Sequence, residues 1–492
     1  MTRIKTGIVN IQLPLVLLSL LLVLAACSVN PATGEQQFTM FMSPEQEARI
    51  GAVEHEKIMQ LFGGPVKDEK LQKYVDSIGR KLVPVTERRD VDYKFYVLDT
   101  PIVNAFALPG GYVYVSRGLV SLANSEAELA SVVGHEIGHI TGRHSAERYS
   151  QSLLASLGTA VLSTAIDKPG ATDIARLGSQ LYISSYSRDQ ETEADKLGIR
   201  YISRAGYEES AASSFLLSLY RHSELEKKIR GNQGRGGFDF FATHPKTENR
   251  IAKARELARV QKTPTGVINR DRHLDAIDGM IYGHSPSQGF VQGRSFVHPE
   301  MGFRFDVPEG FEIINNPSEV IAVSDRKGII IFDSDTDKHG VDVTTYLSRI
   351  WMKGEMLKDV ETITVNGMRA ATGLFPGRVK NRNVNIRVVA VRWGPDRYFR
   401  FMMAIPRDAG SELLDEYKRT TYSLKRVSGQ DRQTFKPRRI EIFTARPGDT
   451  VASLAPEQAF AKSPEQHFRI INGLDQSERL VPGQRYKRVV RK

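Results

Sequence analysis

Cysteine is almost absent from this 492-residue chain: Cys27 stands alone, so no internal disulfide can form and no thiolate metal cluster can be built. Histidine is sparse as well, at 11 residues, which makes any close pair of histidines informative. No long apolar run is present. The stretch Leu15 to Leu24 carries no charge but falls short of the roughly 20 residues that a membrane-spanning helix needs. A phosphate-binding loop is missing too. The glycine-rich run Gly231-Asn232-Gln233-Gly234-Arg235-Gly236-Gly237 lacks a GK[ST] ending and leads into Phe238-Asp239-Phe240-Phe241, so it reads as a loop ahead of His244. The charge is +11, with clusters at Lys436-Pro437-Arg438-Arg439 and over the last residues, yet no nucleic-acid motif accompanies it. Anionic envelope surfaces suit that charge better.

The informative run that is present is His135-Glu136-Ile137-Gly138-His139. On a helix, residues four apart share a face, so both imidazoles can hold one metal while Glu136 sits beside it as a base. Ser125 and Glu128 supply an S-x-x-E start signal, and Leu129, Val133, Ile137 and Ile140 follow at helical spacing. A catalytic zinc site takes three protein ligands and keeps one position open. The third candidate is Glu191, in Glu191-Thr192-Glu193-Ala194-Asp195, with Asp195 one turn on to orient a ligand histidine. Glu193 reads as a solvated residue. A competing pattern, HExxHxxGxxH, fails because His144 comes one residue early and no Met-turn follows, so His144 is read as an outer-layer or surface residue.

Together with Asn104-Ala105-Phe106-Ala107-Leu108-Pro109-Gly110-Gly111, these motifs make residues 40 to 260 resemble the membrane-associated zinc peptidases that include the CAAX prenyl protease, HtpX and BepA. The resemblance implies a gluzincin fold, with an active-site helix, a small sheet and a second helix bearing the glutamate. It implies one Zn2+ per chain and endopeptidase action on membrane or envelope proteins. It also brings in Thr243-His244-Pro245 and Arg250 as site residues, His244 either as a resting fourth ligand or as an oxyanion donor beside Arg250. Independently, Val91 to Val97 and Tyr112 to Val115 read as strands around the Pro109-Gly110-Gly111 break, which would leave an edge strand able to hold an extended peptide.

Arg3 and Lys5, the apolar stretch and Leu24-Ala25-Ala26-Cys27 have the layout of a secretory signal ending in what resembles a bacterial lipoprotein box. Cys27 would then be the acylated first residue of the mature chain, and Ser28 suits transfer to the outer membrane. The expected place is the cell envelope, lipid-anchored and facing the periplasm.

At this length several cores are expected. The composition, 40% apolar and 25% charged, is that of globular domains. The expected layout is α+β and multidomain: signal peptide 1–26, linker 27–45, mainly helical peptidase domain 46–262, an α+β domain 288–428, and a βααβ module 436–492. The last resembles a LysM module at Arg446-Pro447-Gly448-Asp449-Thr450, Asn472-Gly473-Leu474 and Leu480-Val481-Pro482-Gly483-Gln484, which implies peptidoglycan as a partner. Two other functions fit the same chain: a chaperone-like assembly lipoprotein with a latent metal site, and a peptidoglycan-bound scaffold.

Overall fold

The computed structural model describes residues 27–153, 185–230, 240–244, 249–260, 266–338, 340–379, 382–429, 436–455 and 462–492. The expected signal peptide 1–26 and the glycine-rich loop 231–237 lie outside the described residues. Two compact units emerge. The first takes the described residues up to Met59, then Pro65–Tyr282 and Arg439–Val490; the second takes Gln60–Gly64, Gly283–Arg438 and Arg491–Lys492.

The first unit begins with a hairpin of β1 (Cys27–Val29) and β2 (Gln36–Phe38), in which Cys27 pairs with Phe38. The span 27–45, expected as a linker, therefore contains folded structure. Its polar composition conceals this, although Ala32 and Met42 within it are buried. Helix α1 (Pro44–Leu61) follows, then α2 (Glu69–Leu82), whose Asp68 cap accepts from Leu71 N and whose Leu71, Tyr74, Val75, Ile78 and Leu82 are buried at helical spacing.

Strands β3 (Lys94–Leu98), β4 (Ala105–Leu108) and β5 (Tyr112–Ser116) make a sheet in the order β3-β5-β4, parallel between β3 and β5 and antiparallel between β4 and β5. The β4–β5 turn needs glycine twice over. Gly110 sits at φ 78°, and a Cβ there would stand 2.6 Å from Cα of Ala48 in α1. Strands β3 and β4 are the sheet edges; the sequence named only the stretches of β3 and β5 as strands, and β5 is central.

Helices α3 (Arg117–Leu122), α4 (Glu126–Thr141), α5 (Arg188–Arg204), α6 (Ser210–Arg230), α7 (Phe240–Thr243), α8 (Arg250–Val260) and α9 (Arg270–Ile277) and strand β6 (Ile281–Tyr282) complete this stretch. Every residue of α4 is buried. Its start follows the sequence signal with one change. Ser125 Oγ accepts from Glu128 N, but the Glu128 carboxylate reaches past the cap to Asn124 N, at 2.7 Å.

The second unit is α+β. Four strands, β7 (Phe290–Gln292), β8 (Ser295–His298), β9 (Phe303–Asp306) and the later β17 (Lys425–Arg426), pair in the order β17-β9-β8-β7. Between them run β10 (Glu312–Asn315), β11 (Glu319–Ser324), β12 (Gly328–Thr336), β13 (Lys358–Val365), β14 (Met368–Val379), β15 (Arg382–Arg392) and β16 (Arg397–Pro406), paired antiparallel in the order β10-β11-β12-β16-β15-β14-β13. Alternation decides the two cores. Phe399, Phe401 and Met403 join Phe303, Phe305 and Phe332 on one face, while Tyr398 stacks at 3.8 Å on Tyr346 on the other. Helix α10 (Ser411–Ser423) follows β16.

The tail returns to the first unit. It comprises β18 (Arg438–Thr444), α11 (Val451–Leu454), α12 (Pro464–Ile471) and β19 (Arg485–Arg491), the expected βααβ order, with β18 hydrogen-bonded between β19 and β6. Grouping the tail with residues 65–282 gives two units where the sequence suggests three. Ile440 and Ile470 join the first unit's core, and polar ties without periodicity add to this: buried Lys487 donates to the carbonyls of Ser121 at 3.0 Å and Ala123 at 2.7 Å, at the end of α3, and Arg485 pairs with Asp271 and Asp275.

The same Ala123 carbonyl accepts from Nε2 of buried His273 at 2.9 Å, so the ring proton is on Nε2 and Nδ1 accepts from Tyr74 Oη, at 3.0 Å. Burial first, then the charge of Lys487, push the His273 pKa down to about 3 from an ordinary 6.5. On acidification the unfolded chain takes a proton near pH 6.5 while the folded one does not until about pH 3. Stability from this group is whole above pH 6.5 and is lost as pH falls. Urea denaturation should show a loss of about 2 kcal/mol between pH 7 and pH 5. That slope should shrink in His273→Gln; an unchanged slope would count against the neutral, doubly bonded ring.

Candidate metal centre

Two helices make the site because both are thin where they touch. A Cβ on Gly198 of α5 would stand 2.9 Å from His135 N, and one on Gly138 of α4 would stand 3.1 Å from Ala194 O. Small residues thus let the backbones close in, so that side chains one turn away, Glu191 and Asp195, reach across to the α4 histidines. Helix α5 starts firmly. Ser187 and Gln190 form a reciprocal capping box one residue before Glu191.

The result is a buried cluster in which His135, His139, Glu191 and His244 each offer one ligand atom, all within 4.8 Å of one another. His139 Nε2 is 3.1 Å from His135 Nε2 and 3.5 Å from Glu191 Oε1. His244 Nδ1 is 2.8 Å from Glu191 Oε1 and 3.3 Å from His135 Nε2. Tetrahedral ligands about 2.0–2.1 Å from one ion stand roughly 3.4 Å apart, so three imidazoles and a carboxylate at these separations fit a zinc-type donor set. Protonation states agree. Burial above all keeps His139 well below its ordinary range and therefore neutral. Burial opposes ionisation of Glu191, but the neighbouring imidazoles, His244 foremost, outweigh it and hold its carboxyl well below the usual range.

Asp195 takes the place expected of it. Its Oδ1 lies 3.0 Å from His135 Nδ1, leaving Nε2 for the cluster. Arg250 arrives differently from the expected oxyanion donor. Its Nε and Nη2 each donate at 2.8 Å to Asp195, and Nη1 lies 2.9 Å from Glu191 Oε2, so its fork holds carboxylates.

Glu136 is fully buried beside the cluster, and neither of its oxygens accepts a hydrogen bond among the described residues. The nearest cation-forming neighbour is His244 Nε2, at 3.4 Å. Burial raises its pKa despite the nearby imidazoles.

Segment 240–244 closes the site. Phe240 N donates to Val103 O at 3.0 Å, the Phe240 ring stacks 4.5 Å from His244, and His244 Nε2 lies 3.3 Å from Ala105 O on edge strand β4. Sequence reasoning missed two neighbours: Tyr186 stacks on His139 at 3.7 Å, and Glu193, read as solvated, lies 3.4 Å from His144 Nε2. His144 Nδ1 stands 2.8 Å from His139 Nδ1, in the outer-layer place that the sequence left open for it. The displaced histidine after HExxH was the available signal for His144; nothing local marks Tyr186.

The stretch from Glu69 to Ala258 matches the description Peptidase family M48. That matched stretch carries every member of the cluster. A beta-barrel assembly-enhancing protease of Yersinia pestis is 29% identical over 230 residues, covering 45% of this chain and 46% of that protein. A Vibrio cholerae protein described in similar terms is 34% identical over 206 residues, covering 39% and 40%. The mitochondrial metalloendopeptidase OMA1 of Schizosaccharomyces pombe is 28% identical over 217 residues, covering 44% and 62%. The chain spans less than two thirds of the length of each. No described helix is long and apolar enough to cross a membrane.

Proposed function

We propose that this chain is a zinc-dependent endopeptidase of the bacterial envelope, acting on misassembled membrane or periplasmic proteins. The observation that carries the reading is the buried cluster of His135, His139, Glu191 and His244 beside Glu136, whose oxygens accept no hydrogen bond among the described residues. A zinc ion there would be held by His135, His139 and Glu191, with His244 as a resting fourth donor, and would supply Lewis acidity. The residues do the rest. Edge strand β4 pairs with an extended substrate once segment 240–244 withdraws. Glu136 takes a proton from the attacking water and returns it to the leaving amine. Asp195 and Arg250 keep His135 and Glu191 oriented. Metal analysis paired with casein digestion, on the full chain and on Glu136→Gln, tests this reading. It fails if the full chain holds no zinc or digests nothing under any opening condition. Retained activity in Glu136→Gln would remove Glu136 as the base. The names of the bacterial relatives favour envelope substrates over the chaperone-only and scaffold alternatives.

Cys27 is the proposed acylation site, anchoring the chain in the outer membrane, periplasm-facing. Cys27→Ala should abolish labelling by a fatty-acid probe and free the protein from membranes or leave it unprocessed. Normal labelling in that variant would sink the anchor. The βααβ tail is proposed to contact peptidoglycan as LysM modules do.

A further inference from the structure

His144 lies five residues beyond His139 and would point well away from it if α4 simply continued, since each helical residue turns about 100°. Instead the chain breaks. Arg143 adopts φ 54°, in the left-handed region that a non-glycine residue enters only at a cost of about 1–2 kcal/mol. The arginine is held there by its own head group, which donates to Glu47 Oε1 at 2.7 Å, Met42 O at 2.7 Å and Thr39 Oγ1 at 3.3 Å. Arg88 braces the same point, reaching Glu47 Oε2 at 3.0 Å and Ile140 O at 3.2 Å.

That turn folds His144 back, so that its Nδ1 comes within 2.8 Å of His139 Nδ1. His139 presents Nε2 to the metal cluster, so its ring proton belongs on Nδ1, and His144 Nδ1 must be the acceptor. The proton of His144 is then on Nε2, facing Glu193 Oε1 at 3.4 Å. Glu193 Oε1 in turn accepts from Asn30 Nδ2 at 2.6 Å. Asn30 has no slack. It is buried, its Oδ1 accepts from Ala32 N at 2.9 Å and Thr33 N at 3.3 Å, and its own N–H donates to Glu35 O at 2.7 Å.

We propose that His144, Glu193 and Asn30 are positioning residues for His139, and that the N-terminal strap of β1, β2 and their turn is thereby part of the metal site's support. The two α4 histidines are then braced by separate chains: His135 by Asp195 and Arg250 from α5 and α8, His139 by His144, Glu193 and the strap. Outer partners of this kind set ring orientation and ligand basicity, and their removal weakens metal binding by roughly 10–100-fold.

The proposal rests on the zinc site proposed above, and its test separates the two. The full chain is titrated with zinc against a competing chelator, and the metal-free protein is melted in parallel. His144→Ala should hold zinc about 10–100-fold more weakly than wild type, with the melting temperature of the metal-free protein unchanged. His144→Gln, whose amide oxygen can accept from His139 Nδ1–H, should recover most of that loss. Asn30→Ala should lose affinity in the same direction and by less. Wild-type affinity in His144→Ala overturns the positioning role, and so does an equal loss in His144→Ala and His144→Gln accompanied by a lower melting temperature. Wild-type affinity in Asn30→Ala removes the strap from the chain. If the unsubstituted protein binds no zinc, it is the metal site that fails.

Discussion

Glu136→Gln should keep one zinc per chain and lose at least about a thousandfold in turnover, whereas His135→Ala, His139→Ala and Glu191→Ala should each lose the metal along with the activity. The contrast follows from position. Glu136 stands next to the donor cluster but contributes nothing to it, so an amide of the same shape leaves the cluster intact and removes only the group that can take a proton. The three ligands are buried and converge, and truncating one leaves a hole that its neighbours cannot fill. Elemental analysis after gel filtration, alongside digestion of a labelled casein, checks both halves. Full zinc and full activity in Glu191→Ala would end the assignment of two histidines and one glutamate.

His244→Ala should raise basal proteolysis, including self-cleavage, by about tenfold or more, each tenfold corresponding to about 1.4 kcal/mol of bias toward the shut state. In the structure His244 is completely buried, its Nδ1 belongs to the donor cluster, its Nε2 faces Glu136 and the Ala105 carbonyl, and Phe240 stacks on its ring. It therefore occupies three places that a substrate needs at once: a metal position, the vicinity of the base and the hydrogen-bonding edge of β4. The opposite result, a fall of about a hundredfold with zinc retained, would make His244 an oxyanion donor instead. Unchanged activity would exclude both roles.

The centre of the site was legible because its chemistry is written locally. HExxH and ExxxD place ligands by helical spacing alone, and Ser125 and Ser187 announce the helix starts. The α+β character of the second unit was legible for the same reason, since Phe303–Asp306 and Tyr398–Met402 alternate as strands must. What escaped was whatever depends on residues far apart in the chain. Glu193 looks solvated until Asn30, 163 positions earlier, is brought against it. Lys487 looks like one more basic tail residue until α3, more than 360 positions away, presents its carbonyls. Arg250 carried the right location and a different task, because a sequence does not say which carboxylates an arginine will meet.

The pairing of β18 with β6 also fixes an order of events. Gly279 N donates to Ile440 O at 2.9 Å and Ile440 N to Met280 O at 2.9 Å, so the first unit leaves off at Tyr282 and resumes at Arg439, with most of the second unit, Gly283–Arg438, threaded between. In a chain made from its N-terminus, residues 283–438 must therefore emerge before Lys487 can reach the α3 carbonyls. Until then the end of α3, immediately ahead of α4, lacks its buried lysine, so the surroundings of the HExxH helix are completed only after most of a separate unit has been made.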